Sequence, residues 1–210
     1  MAARTIDYYF SLVSLWSYVG CAAFDEMRRR HNMEVVYKPV DLMAVFAVSG
    51  GLPVKQRAPQ RQAYRLVEMQ RWREVRNLPL VLHPKFYPAN PTLGHRMILA
   101  AMARNQDVGA FTRACLKAVW ADELNIEDPA TLGDLANHSG LDGAALLAGS
   151  DDPQIEARAK ALTDEAIARR VFGAPTYFYR DEPFWGQDRL DMLEAAITSD
   201  RPALPLPTEL

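Results

Sequence analysis

The chain has 210 residues, 49% of them apolar and 24% charged, with a formal net charge of −2. That is enough chain for a full core, in proportions ordinary for a globular protein. The near-neutral balance argues against nucleic acid or an anionic membrane as partner, and no apolar run approaches the roughly 20 residues that span a bilayer.

The start, "MAARTIDYYF", shows no apolar segment ahead of a cleavage site, so a cytoplasmic location is the default expectation. "TIDYYF" alternates, with Ile6, Tyr8 and Phe10 on one side and Asp7 and Tyr9 on the other, and reads as a strand. A helix follows from about Trp16 to His31, ending in the basic turn "MRRRH" that suits the negative end of a helix dipole. "MEVVYKPV" is a second strand, and strand, helix and strand together form a βαβ unit with parallel strands. "AVSGGLPVKQRAPQ" then reads as a Gly/Pro-containing loop.

From Gln60 to about Arg170 the pattern is almost wholly helical. "RQAYRLVEMQRWREVRN", "PTLGHRMILAAMARNQ" and "VGAFTRACLKAVWADE" are three helices, and Asp128–Pro129 and Asp152–Pro153 mark the starts of two more. The Arg-rich stretches "EMRRRH" and "QRAPQRQAYR" read as solvated helix faces. Strands return as a hairpin, "TYFY", a turn through "RDE", then "PFWG". A last helix, "QDRLDMLEAAIT", carries Leu190, Leu193 and Ile197 inward.

The order is therefore βαβ, a helical block, and ββα. That is an α/β, thioredoxin-like fold with a large all-helical insertion, divided as residues 1–41 plus 171–210 and an inserted helical domain over 42–170. Cys21 and Cys115 make no C-x-x-C or metal-ligand spacing and read as small buried hydrophobes. His31, His83, His95 and His138 show no ligand spacing either, so they read as surface or satisfied residues and no metal is expected.

Three motifs meet at one sheet edge in such a fold: "FSLVSLWSY", "VFGAPTYF" and "WGQDRLDML". In that order and spacing the chain resembles the 2-hydroxychromene-2-carboxylate isomerases, which group with kappa-class glutathione transferases and DsbA-like proteins. The resemblance implies glutathione as cofactor, a small aromatic carboxylate as substrate and a homodimer. Where a thioredoxin-like oxidoreductase needs two thiols at the helix N-terminus, this chain has Ser14 and Ser17 and can form no disulfide of its own there. Ser14 is implied as the catalytic hydroxyl that stabilises the glutathione thiolate. Pro175 is implied as a cis proline that turns the backbone of Ala174 toward the bound peptide. Trp185, Gly186, Gln187, Asp188 and Arg189 are implied as the segment that recognises its charged γ-glutamyl end, with Asp188 as a helix N-cap the plainer reading.

The pattern is not complete. Leu15 stands where the family has proline, Ser11 where aspartate is common, and Phe46 where a lysine would hold the substrate's carboxylate. Ser17, Phe46, Lys55, Gln56, Phe86, Tyr87 and Asn90 are the substrate-side candidates, with Arg57 beside Lys55 and Gln56 as a further polar contact. A kappa-like transferase, a DsbA-like oxidoreductase and a non-catalytic thiol-peptide binder are the other functions weighed. The missing cysteines argue against the oxidoreductase.

Overall fold

Strict alternation gives β1 (Thr5–Phe10) two apolar faces, and both are covered in the computed structural model, which describes residues 4–199 and 201–207. The first three and last three residues, which the sequence reading places in the thioredoxin-like part, lie outside the described residues. Ile6, Tyr8 and Phe10 enter the main core, while Tyr9 enters a second cluster with Val40, Val45, Ala166, Val171 and Phe178. Asp7 shares the second face and pairs with Lys38 at 3.1 Å and with Arg169.

Helix α1 (Leu15–Arg30) leads to β2 (Glu34–Pro39), which pairs parallel with β1 from Thr5 opposite Glu34 to Phe10 opposite Pro39. The basic turn that closes α1 is not simply solvated. Arg28, Arg29 and, from another helix, Arg113 pair with buried Asp25 at 2.7, 2.6 and 3.2 Å, and Arg30 reaches Glu194 at 2.8 Å.

The helical block comprises α2 (Leu42–Ser49), α3 (Pro59–Val75), α4 (Thr92–Ala103), α5 (Gly109–Trp120), α6 (Pro129–His138), α7 (Gly143–Gly149) and α8 (Pro153–Ala168). The Asp-Pro starts of α6 and α8 hold, with Asp128 and Asp152 each accepting backbone N–H bonds. Two helices were not expected. α2 extends to Ser49, so the loop begins only at Gly50 (φ 76°), and Asp41 caps it by accepting from Met43 and Ala44 N–H at 2.8 and 3.3 Å. α7 is capped in the same way by Asp142.

The chain returns as β3 (Thr176–Tyr179), antiparallel to β1, and β4 (Glu182–Trp185), giving the sheet order β2-β1-β3-β4. The hairpin turn is only two residues, Arg180 and Asp181, at φ 51° and 65°, as a tight turn matched to strand twist requires. Glu182 belongs to β4, opposite Tyr179, and is not part of the turn. A single 3₁₀ turn, Gln187–Arg189, leads into α9 (Leu190–Thr198), whose Leu190, Leu193 and Ile197 are buried as the pattern predicts. This is the thioredoxin-like arrangement with helices inserted between β2 and β3. Among the described residues no helix is long and apolar enough to cross a membrane.

Candidate active site

The N-terminus of α1 is held by its own cap. Ser14 sits in extended backbone before the helix, only 7% exposed, and its Oγ accepts the N–H of Ser17 at 3.2 Å. The same hydroxyl donates to the carbonyl of Ala174 at 3.0 Å, which ties the helix start to the segment before β3. That segment turns through a cis Ala174–Pro175 bond, as the resemblance implies, and Gly186 N–H donates to Pro175 O at 2.9 Å. The Ser14 hydroxyl thus joins the α1 start to the Ala174 segment, which in turn is joined to Gly186.

His95, on α4, supports the loop from below. Its Nε2 accepts the N–H of Leu12 at 3.1 Å, so the ring proton lies on Nδ1. Burial pulls its pKa down to about 4, which keeps the imidazole neutral. It is thus a satisfied residue as expected, but its place under the site loop has no signal in the sequence.

Two cavities open beside Ser14's helix end. The smaller, about 190 Å³, is bounded by Trp16, Trp72, Ala174, Trp185 and the run Gly186–Arg189. The larger, about 1120 Å³, takes in Ser14 and reaches from α2 across the inner face of α3 to Tyr87. Trp16, Ala174 and Trp185 line both, so the two are continuous. Glycines permit this packing. A Cβ on Gly20 would lie 2.6 Å from Gln187 Cβ, and one on Gly173 would lie 2.5 Å from Trp185 Nε1. Gly186, at φ 104°, makes the turn from β4 into the small cavity.

The expected residues distribute as follows. Gly186, Gln187, Asp188 and Arg189 line the small cavity. Gln187 is buried and its Oε1 accepts from Arg76 at 3.1 Å. Asp188 pairs with Arg189 at 2.8 Å and does not cap α9, which starts at Leu190 with Arg189 in the cap position and no side-chain cap bond. Glu68, which the sequence reading passed over, adds a second carboxylate to this cavity, its pKa lowered chiefly by the hydrogen bond from Arg71 at 2.6 Å.

Phe46, Lys55, Gln56 and Tyr87 line the large cavity. Ser17 does not reach it, being fully buried inside α1. Phe86 and Asn90 also lie off the lining: Lys85 Nζ covers the Phe86 ring at 4.9 Å, and Asn90 Oδ1 accepts Thr92 N–H at 3.0 Å. The stretch "QRAPQRQAYR" is largely exposed as expected, but Arg57 and Arg65 are partly buried and, with exposed Arg61, line the large cavity. Their spacing of four was the available signal.

Cys21 and Cys115 are free, and burial raises both thiols, Cys21 to about 11, so neither is a nucleophile for this cleft. Among the described residues no group of three or more His, Cys, Asp or Glu is arranged to hold a metal ion.

The DSBA-like thioredoxin domain matches residues 5–198. The chain belongs to the DSBA-like thioredoxin domain family. Within it, the chain is 29% identical over 196 residues to a 2-hydroxychromene-2-carboxylate isomerase of Sphingobium xenophagum, covering 92% of this chain and 98% of that protein. The isomerase of Pseudomonas putida is 28% identical over 195 residues, covering 91% and 93%. A solved 2-hydroxychromene-2-carboxylate isomerase superposes with a TM-score of 0.76 at 28% identity, covering 92% of this chain and 94% of that one. A probable DsbA oxidoreductase of Streptomyces coelicolor shares the fold at 20% identity, TM-score 0.73, with 98% and 94% covered.

Proposed function

We propose that this chain is a glutathione-dependent cis-trans isomerase acting on 2-hydroxychromene-2-carboxylate or a similar product of aromatic ring cleavage. The observation that carries the reading is Ser14, a hydroxyl at a helix N-terminus where a disulfide enzyme needs a thiol, on the lining of the larger of two joined cavities. The likeness to named isomerases over nearly the whole chain supports the reaction class.

The residues fit a thiol peptide. Asp188 and Glu68 put two carboxylates on the small cavity, suited to the ammonium of a γ-glutamyl end. Ala174, at the junction of the cavities, offers its carbonyl to the peptide's amide N–H. When bound, glutathione supplies a thiolate that adds reversibly to the substrate's conjugated double bond, allows rotation about the resulting single bond, and leaves unchanged.

Ser14 has one proton to give. In this structure that proton goes to Ala174 O at 3.0 Å. An amide N–H arriving at Ala174 O releases the Ser14 proton to turn toward a sulfur. The Ser17 N–H keeps Oγ in place throughout, and the positive end of α1 adds to the stabilisation of negative charge. The apolar walls of the large cavity, including Phe46, Leu66 and Tyr87, suit an aromatic ring and keep bulk water from it.

The test is turnover of 2-hydroxychromene-2-carboxylate with and without glutathione, following both the trans-o-hydroxybenzylidenepyruvate formed and the glutathione remaining. Product formation that needs glutathione and leaves its concentration unchanged is expected. A stoichiometric loss of glutathione into a conjugate would make the protein a kappa-like transferase. No turnover under either condition would sink the reading.

A further inference from the structure

The large cavity holds a concentration of positive charge that its lining acid, Asp41, does not meet in an ion pair. Arg57, Arg61 and Arg65 follow at intervals of four and project from α3 and the turn before it onto one wall. Arg65 is half-buried. Its guanidinium lies 5.4 Å from the Trp120 ring and 5.9 Å from the Tyr87 ring, and its Nη1 meets only the Met69 thioether at 3.2 Å, a weak acceptor. Arg57 is fixed through Nε, which donates to Leu52 O at 2.8 Å.

Among the described residues none of the three makes an ion pair. Burial lowers the pKa of both Arg57 and Arg65; the Tyr87 phenol acts the other way, and a neighbouring arginine, Arg61 for Arg57 and Arg57 for Arg65, adds to the lowering. Asp41, the acid on the same cavity, is occupied in capping α2.

Several other arginines are treated differently, although Arg76 also lacks a carboxylate, bonding Gln187 and lying over the Trp72 ring. Arg28, Arg30, Arg71, Arg169 and Arg201 all have a carboxylate within 3.3 Å. Arg61 stays exposed, but partly withdrawing Arg57 and Arg65 from water without counter-ions costs free energy that a structural role does not return. An incoming anion returns it. The guanidinium fork also matches the two neighbouring oxygens of an α-oxo carboxylate better than a lysine would. Phe46, where the resemblance implies a carboxylate-holding lysine, carries no charge here.

We propose that Arg65, flanked by Arg61 and Arg57, is the anchor for the carboxylate of the acid that fills the large cavity, which selects aromatic α-oxo acids over neutral aromatics. The choice of acid rests on the isomerase reading; the anion site does not. The aromatic faces of Tyr87 and Trp120 hold the guanidinium while the ring of the ligand meets the apolar wall around Phe46 and Leu66.

The probe pair is trans-benzylidenepyruvate and its methyl ester, titrated against the protein by intrinsic tryptophan fluorescence in the absence of glutathione. The wild type should bind the acid about 30-fold more tightly than the ester, the size expected of one charge-assisted contact, and added salt should narrow the ratio. Arg65→Met should bring the acid to the affinity of the ester, Arg65→Lys should restore part of the preference, and Arg61→Met should lower it several-fold. Equal binding of acid and ester by the wild type overturns the proposal. So does a folded Arg65→Met protein that keeps the full preference. Should that variant not fold, the wild-type ratio and its salt dependence still decide. Because no step uses glutathione or turnover, an intact acid preference in a protein without isomerase activity would remove the isomerase reading and leave the anion site standing.

Discussion

The two walls of the cleft are made in different ways. The Ser14 wall is set by backbone geometry: a capped helix start, a cis proline and Gly186 at φ 104°, tied by hydrogen bonds of 2.9 to 3.2 Å. The α3 wall is set by long side chains on a helix of which only Met69 is buried. The first kind of wall tolerates few residue types at each position. The second can change its charge without disturbing the fold. On the proposed reading, the reacting group would be positioned by the thioredoxin-like part and the substrate chosen by the helices inserted into it.

Substituting each wall sharpens that contrast. The largest effect is expected at Ser14. Ser14→Ala removes the proposed donor to the thiolate and should lower kcat about 10²- to 10³-fold, as loss of a preorganised donor does elsewhere. It also removes the α1 cap and the bond to Ala174, so thermal unfolding should show a loss of about 1 kcal/mol.

Next comes the pH dependence carried by His95. Its folded pKa, about 4, lies below the unfolded value near 6.5, so the folded protein binds fewer protons between those limits. Stability from this group is full above about pH 6.5 and is lost as pH falls toward 4, by about 3 kcal/mol in total. His95→Gln should flatten denaturant-unfolding free energies between pH 6.5 and 5 relative to the wild type. An unchanged slope would contradict the burial argument.

Gly20→Ala tests how closely the 3₁₀ turn sits on α1. Its Cβ would meet Gln187 Cβ at 2.6 Å, so about 2 kcal/mol of destabilisation is expected, read as a fall in Tm of about 6 °C, with weaker glutathione binding. The smallest effect on stability belongs to the α3 wall. Arg65→Met removes a half-buried cation with no ion-pair partner among the described residues, so its Tm should stay level or rise slightly. A large drop would make Arg65 structural.

The same division governs what the sequence revealed. β1, α1, β2 and the hairpin were legible because alternation and apolar period follow directly from which face is buried, and the cis bond at Pro175 followed from the family resemblance. α2 escaped notice because "LMAVFAVS" is apolar almost throughout and has no period of its own; only the Asp41 cap marks it. α7, "GAALLAG", is too short and glycine-rich to announce a helix.

The substrate wall was hardest to read. Arginines four apart on a polar helix look the same whether they face water or a cavity, and only tertiary packing separates the two. Phe86 and Asn90 illustrate the reverse, since a plausible aromatic and a plausible amide turn out to serve local packing and the start of α4. His95 and Glu68 gave no local pattern at all, because their partners lie far along the chain or across the cleft.

The claim that joins these observations is that Ser14 stabilises a bound thiolate. Its most direct test is the ultraviolet absorbance of glutathione thiolate, titrated with pH in the presence of saturating protein, for wild type and Ser14→Ala. The wild type should bring the bound thiol's pKa well below the free value of about 8.5, and Ser14→Ala should return it most of the way. A bound thiol whose pKa is unmoved in the wild type, or lowered equally in both proteins, would contradict the role assigned to Ser14.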